Sequence, residues 1–133
     1  MKFIDLLNED QNIQFNKKID IVVVNSDGNN INIKCEVPSN MEEERQGLMY
    51  RENLCDNCGL FYGNHTNGFW MKNVSIPLDM IFIMDDTIVS IVGANPFDEK
   101  IINPNVDFNG NIEVNSNFCK NNNISIGDKI YKL

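Results

Sequence analysis

Basic residues are scarce in this 133-residue chain, which carries 11 Lys and Arg against 19 Asp and Glu, a formal net charge of −8 at pH 7. A surface of this sign repels phosphate, which disfavours nucleic acids and anionic membranes as partners. No apolar run approaches the roughly 20 residues of a membrane-spanning helix. The first ten residues include Asp5, Glu9 and Asp10 and lack the basic head and apolar stretch of a secretory signal. The sequence therefore predicts a soluble cytoplasmic protein, or part of a virus particle if the source is viral.

Catalytic and metal-binding signatures are also scarce. The chain has no serine nucleophile elbow, phosphate-binding loop or dinucleotide fingerprint, and its single histidine is His65. Its four cysteines include one close pair, Cys55-x-x-Cys58, a spacing found in zinc sites, redox sites and disulfides. A zinc site would need Cys35 and Cys119 as well, because there is no second close pair. Unlinked thiols are favoured, a metal site and a disulfide stay open, and we predict no bound metal and no cofactor.

Short β-branched and alternating segments make up most of the chain. Residues 19–24 (IDIVVV) and 31–37 (INIKCEV) flank a Gly/Asn-rich turn and predict a β-hairpin. A Ser39-x-x-Glu42 capping box predicts a helix that Gly47 ends after about two turns. Later strands are predicted at 60–62, 69–73, 80–84, 88–94, 112–115 and 129–133, with a helical turn at 118–122 closed by a left-handed Asn123. This pattern is typical of a mainly β fold, a compact antiparallel β-sandwich or barrel with one or two short helices.

No linker or internal repeat divides the chain. Residues 1–18 show no clean periodicity and are predicted to form an N-terminal arm, and residues 19–133 a single β-rich domain. The arm carries four apolar side chains able to dock on a neighbour or on the domain itself: Phe3, Ile4, Leu6 and Leu7.

Several short motifs resemble the domain of unknown function 192 family. They span about residues 31–130 and are Gly47-Leu48-Met49-Tyr50-Arg51, Gly59-Leu60-Phe61, Phe69-Trp70-Met71-Lys72-Asn73 followed by Pro77-Leu78-Asp79, Glu113-Val114-Asn115 and Gly127-Asp128. The second motif is shorter than the family pattern, and Asn117 stands where the family has Gly. The resemblance implies a compact, mostly β sandwich or barrel with short helical turns, and it implies no established activity.

Five residues inside these motifs are candidates for a binding site: Arg51, Trp70, Lys72, Asp79 and Glu113. Strand alternation would place Trp70 and Lys72 on one face, where an indole beside charged groups can hold a polar ligand. Arg51, Asp79 and Glu113 each adjoin apolar residues, where an unpaired charge is costly, so we predict that they cluster. The structural alternative is that Arg51 pairs with Asp79 or Glu113 beneath a loop, and that Trp70 belongs to the core.

Three functional hypotheses follow. The favoured one is a non-catalytic binding or accessory domain that holds a small polar molecule or a protein partner near Trp70 and Arg51. The second is a structural component of a larger assembly, such as a virus particle, docked through the arm. The third is an enzyme built on Arg51, Asp79 and Glu113, which the lack of a recognisable nucleophile–base pair disfavours.

Overall fold

The computed structural model describes residues 14–133, which form seven strands and two short helices. The strands are β1 Lys18–Val24, β2 Asn30–Glu36, β3 Cys58–Gly63, β4 Leu78–Met84, β5 Thr87–Ala94, β6 Gly110–Asn115 and β7 Lys129–Lys132. The helices are α1 Met41–Gln46 and α2 Phe118–Asn121. The predicted mainly β class with short helices is confirmed. Within residues 14–133 neither helix has the length or the apolar composition to span a membrane.

The strands close into a barrel in the order β1-β2-β3-β6-β4-β5-β7, and β7 pairs back to β1. All neighbouring pairs are antiparallel except β2 and β3, which are parallel, with Lys34 beside Cys58. The prediction of an antiparallel barrel therefore holds for every neighbouring pair except β2 and β3. Residues 37–57, which include α1, provide the long crossover that a parallel pair requires.

Two hydrophobic cores lie on opposite faces of the sheet. The first fills the barrel interior, and every strand contributes to it, for example Ile33 from β2 and Ile81 from β4. The second covers the outer face of β3, β6 and β4, where Leu60 and Met80 pack against Leu48 and Met71 from the connecting segments. The outer face of these strands is thus buried by irregular chain and not by a second sheet.

Helix α1 begins one residue later than the sequence pattern indicates. Asn40 is the N-cap residue, and its Oδ1 accepts from the backbone N–H of Glu43 at 2.8 Å. The Glu43 side chain in turn accepts from the backbone N–H of Ser39, the residue before the N-cap, at 2.8 Å. The helix ends at Gly47, as predicted, where φ is 50°.

Residues 69–73 do not form the predicted strand. Phe69 makes one isolated bridge to Ile102, and the chain then turns so that the N–H of Val74 donates to the carbonyl of Met71. Neighbouring side chains in this segment nevertheless differ in burial, since Met71 is fully buried and Trp70 is 42% exposed. The segment lies over the second core as a cover.

The chain before β1 packs on the barrel from Phe15 onward. Phe15 is buried in the second core, and the carbonyl of Lys17 accepts from the N–H of Val37. The arm's four apolar side chains, Phe3, Ile4, Leu6 and Leu7, lie outside the described residues. The arm and its boundary at residue 18 stay a prediction.

Candidate functional site

Arg51 forms a buried, two-pronged ion pair with Glu36. Its Nη1 and Nη2 donate to Oε2 and Oε1 of Glu36 at 2.6 and 2.7 Å, and the guanidinium lies 4.9 Å from the centre of the Phe15 ring. Oε1 of Glu36 also accepts from the backbone N–H of Phe15 at 2.8 Å. Arg51 is 3% exposed, so this charge is committed to holding residues 14–17 and 47–51 onto β2.

Asp79 lies on the opposite face of the sheet from Glu113. In the pairing of β4 with β6, Asp79 is opposite Val114, which belongs to the barrel interior, whereas Glu113 is opposite Met80, which belongs to the second core. Asp79 Oδ2 accepts from the backbone N–H of Cys119 at 3.1 Å, near the start of α2. This carboxylate therefore anchors α2 against the end of the barrel.

The predicted cluster of Arg51, Asp79 and Glu113 is wrong. Neighbouring residues on a strand point to opposite faces, so the pairing register separates the two carboxylates. Arg51 pairs with neither of them, because Glu36, which the sequence pattern does not single out, takes its guanidinium. The structural alternative is also wrong on both counts, since Trp70 is not a core residue.

Glu113 is a buried carboxyl that has no partner among residues 14–133. It is 6% exposed, and no hydrogen bond or ion pair from these residues reaches its side chain. Burial raises the pKa of Glu113 to about 8 from its ordinary value of 4.5. At neutral pH the side chain is therefore mostly protonated, and nearby positive charge would ionise it.

A pocket of about 130 Å³, partly open to solvent, reaches Glu113; we call it the Glu113 pocket. It is lined by residues 44–49, Tyr62, His65, residues 68–71, Val74 and Glu113. Of the five predicted site residues, it brings together Trp70 and Glu113 and leaves out Arg51, Lys72 and Asp79. Its walls come from α1, the end of β3 and the irregular cover.

Aromatic rings form one wall of the Glu113 pocket. The ring centres of Tyr62 and Phe69 are 5.1 Å apart, and the ring of His65 lies 4.7 Å from Phe69 and 5.4 Å from Tyr62. The Tyr62 hydroxyl donates to the carbonyl of Glu44 at 3.0 Å, so its proton is not available to Glu113. Burial lowers the pKa of His65 from its ordinary value, which favours the neutral imidazole at neutral pH.

Trp70 and Lys72 lie together at the edge of this site. Lys72 Nζ is 5.2 Å from the centre of the Trp70 ring, a cation–π distance. Lys72 is exposed and takes no part in lining the pocket, whereas Trp70 does. Their common side was predicted from strand alternation, but a turn produces it.

The cysteines divide into two unrelated pairs. Cys55 and Cys58 form a disulfide, with Cα atoms 5.1 Å apart, so the favoured expectation of unlinked thiols is wrong for this pair. Cys35 and Cys119 are free and buried in the barrel interior, where burial, above all, raises the pKa of each thiol to about 12. Within residues 14–133 no group of three potential ligands is placed to hold a metal ion, and the absence of metal stays a prediction.

The sequence pattern did not indicate Glu36, Tyr62 or Glu44, and it gave no role to His65. Glu36 alternates with the inward-facing Cys35 along β2, which is the pattern of an exposed strand position. Tyr62 and His65 flank a Gly-Asn pair, and this short spacing was the one available sign that two rings share a wall.

The chain is a small closed β-barrel domain with a partly open pocket that reaches Glu113. Residues 22–131 match the domain of unknown function 192 family, described as Uncharacterized ACR, and the chain belongs to that family. No curated protein matches the chain.

Two solved structures are similar. One is a proposed transcription regulator from Sinorhizobium meliloti 1021, 29% identical, with a TM-score of 0.82 over 90% of this chain and 96% of that one. The other is a protein of unknown function from Novosphingobium aromaticivorans DSM 12444, 28% identical, with a TM-score of 0.78 over 86% of this chain and 84% of that one. These likenesses agree with the barrel fold and assign no activity.

Proposed function

We propose that this protein is a small-molecule-binding domain and that the Glu113 pocket is its site. The observation that carries the proposal is the side chain of Glu113, which is buried without a partner among residues 14–133 where the pocket reaches it. Burying a polar group without a hydrogen bond is costly, and such groups mark places where a ligand or an ion completes the contacts. Trp70, exposed at the rim, adds a large flat surface for the remainder of the ligand.

The size of the Glu113 pocket limits what enters it. A volume of about 130 Å³ is close to the roughly 150 Å³ of an engineered apolar cavity that accepts benzene. The pocket therefore suits one end of a ligand, a group of about five or six heavy atoms. The rest of the ligand would lie along Trp70 and the exposed surface of α1.

The alternative functions have less support. An enzyme built on Arg51, Asp79 and Glu113 lacks its geometry, because Arg51 pairs with Glu36 and Asp79 lies on the opposite face of the sheet from Glu113. A role in transcription, as proposed for the Sinorhizobium protein, could not rest on direct binding to DNA phosphates, which a net charge of −8 opposes. Docking into a larger assembly depended on the apolar side chains of the arm, which lie outside the described part of the chain: Phe3, Ile4, Leu6 and Leu7.

A fragment screen by ligand-observed NMR tests the proposal. Trp70→Ala removes the rim of the pocket, and Tyr131→Ala removes an exposed aromatic from β7, outside the pocket wall, as the matched control. We expect fragments that bind the wild type and Tyr131→Ala, weaken at least about tenfold in Trp70→Ala, and shift the backbone amides of residues 44–49 and 68–71. Hits whose affinity is the same in all three proteins, or the absence of hits, would overturn the proposal.

A further inference from the structure

The contacts of Glu113 define what its ligand must offer. The side chain comes from the middle of β6, and its cross-strand neighbours Leu60 and Met80 are apolar and fully buried. Tyr62, the nearest hydroxyl in the wall, donates its proton to the carbonyl of Glu44. No donor from residues 14–133 is therefore in place for this carboxyl, and a ligand that ends in a hydrogen-bond donor would supply one.

The rings that line the Glu113 pocket favour a positively charged donor. Tyr62, Phe69 and Trp70 are three aromatic side chains in its wall, and the negative faces of such rings attract cations. Lys72, which lies outside the pocket wall, already makes a contact of this kind: its Nζ is 5.2 Å from the centre of the Trp70 ring. A carboxyl and aromatic faces together form a site suited to an organic cation.

We propose that the Glu113 pocket binds a cationic group, an alkylammonium or a guanidinium, whose N–H groups donate to the Glu113 carboxylate among the rings of Tyr62, Phe69 and Trp70. This inference rests on the proposed binding function and names its ligand class. The pocket wall carries two carboxyl side chains, Glu113 and Glu44, against one cation, Arg45, which disfavours an anionic ligand, and a neutral ligand would leave the Glu113 carboxyl without an ionic partner. The ammonium enters charged, Glu113 loses its proton to solvent, and the pair replaces the neutral acid.

The charges around Glu113 make this binding depend on pH. The titratable and charged groups lining the pocket are Glu44 and Arg45 from α1, Tyr62 from β3 and His65 from the following loop, whereas residues 68–71 and Val74 contribute none. Arg45 makes no ion pair with Glu113. Below the Glu113 pKa of about 8, each increase of one pH unit should therefore strengthen cation binding by up to about tenfold, and above that pKa the affinity should level off.

Three size-matched probes test the inference on the whole protein: n-propylamine, n-propanol and propionate. Each is titrated to about 100 mM while NMR follows the Trp70 indole N–H and the Met71 methyl group. Glu113→Gln keeps the shape of the side chain and removes its ionisation. Glu42→Gln makes the same change on the exposed surface of α1, outside the pocket wall, and serves as the control.

We expect propylammonium to bind best and to bind at least about tenfold more weakly to Glu113→Gln, whereas Glu42→Gln should change its affinity little. Calorimetry in two buffers at pH 7 should show release of close to one proton per bound propylammonium, which Glu113→Gln should abolish. Equal binding of propanol, or equal affinity in Glu113→Gln, overturns the cation inference. If fragments bind but propylammonium does not, the cation inference fails and the binding site stands. If no fragment binds at Trp70, the proposed function fails with it.

Discussion

Replacement of Arg51 by Met should destabilise the domain, although Arg51 does not itself line the Glu113 pocket. The change keeps the approximate length of the side chain and leaves the Glu36 carboxylate buried without its cation. Breaking a buried pair from one side costs about 3–5 kcal/mol, a large part of the roughly 5–15 kcal/mol that stabilises a domain. With a urea m-value of about 2 kcal/mol/M, the midpoint of unfolding should fall by about 1.5–2.5 M.

The matched control is Lys129→Met. Lys129 Nζ lies 3.5 Å from Asp86, but both side chains are largely exposed, so this change should alter stability little. A second change, Glu36→Gln on the Arg51→Met background, removes the uncompensated charge and keeps an oxygen for the Phe15 N–H. The double variant should recover at least about 1 kcal/mol relative to Arg51→Met alone. A cost below about 1 kcal/mol for Arg51→Met, or a double variant less stable than the single one, refutes this reasoning.

Three further changes are measured by urea unfolding. Met71→Ala should cost about 2–5 kcal/mol, because Met71 is fully buried in the second core, and a negligible change would show that the cover over residues 69–73 is loose. The free energy of unfolding of Glu113→Gln should rise relative to that of the wild type between about pH 4.5 and pH 8, because native Glu113 holds a proton that the unfolded chain releases. The difference should approach about 5 kcal/mol above pH 8, and a difference that stays flat from pH 5 to 9 contradicts this prediction. Gly47→Ala should cost about 1–3 kcal/mol, because φ is 50° and the new Cβ would lie 2.7 Å from the Tyr62 hydroxyl oxygen, and wild-type stability would refute this.

The elements that sequence reasoning predicts well are those that local chemistry determines. In the first hairpin, Val24 pairs with Asn30 around a turn that contains Gly28 at φ 80°, and Ile31, Ile33 and Cys35 all face inward as their alternation predicts. The turn of α2 is followed by Asn123 at φ 53°, as its left-handed propensity predicts. These features depend on residues close together in the chain.

The failures come from pairing between distant segments. Residues 69–73 have the aromatic content of a strand, but their backbone groups find loop partners, such as the carbonyl of Asp98, which accepts from the N–H of Met71. The parallel pairing of β2 with β3 is invisible locally, because the intervening residues 37–57 fold as a helix and loop. The misplaced Arg51–Asp79–Glu113 cluster has the same origin, since the register that separates the two carboxylates is set by strand pairing.

Glu36 and Glu113 show how one fold gives the same side chain two different roles. Both flank Leu60 in the pairing of β2, β3 and β6, so they lie at one level on the outer face, about 10 Å apart by usual strand spacing. The segment that follows α1 brings Arg51 onto Glu36 and satisfies it fully. That same segment passes Glu113 with Leu48 and Met49, which offer no charge, and leaves a cavity there. A buried carboxyl without a partner lowers stability. Of these two positions, only Glu113 lines the pocket, and its carboxyl is the one without a partner among residues 14–133.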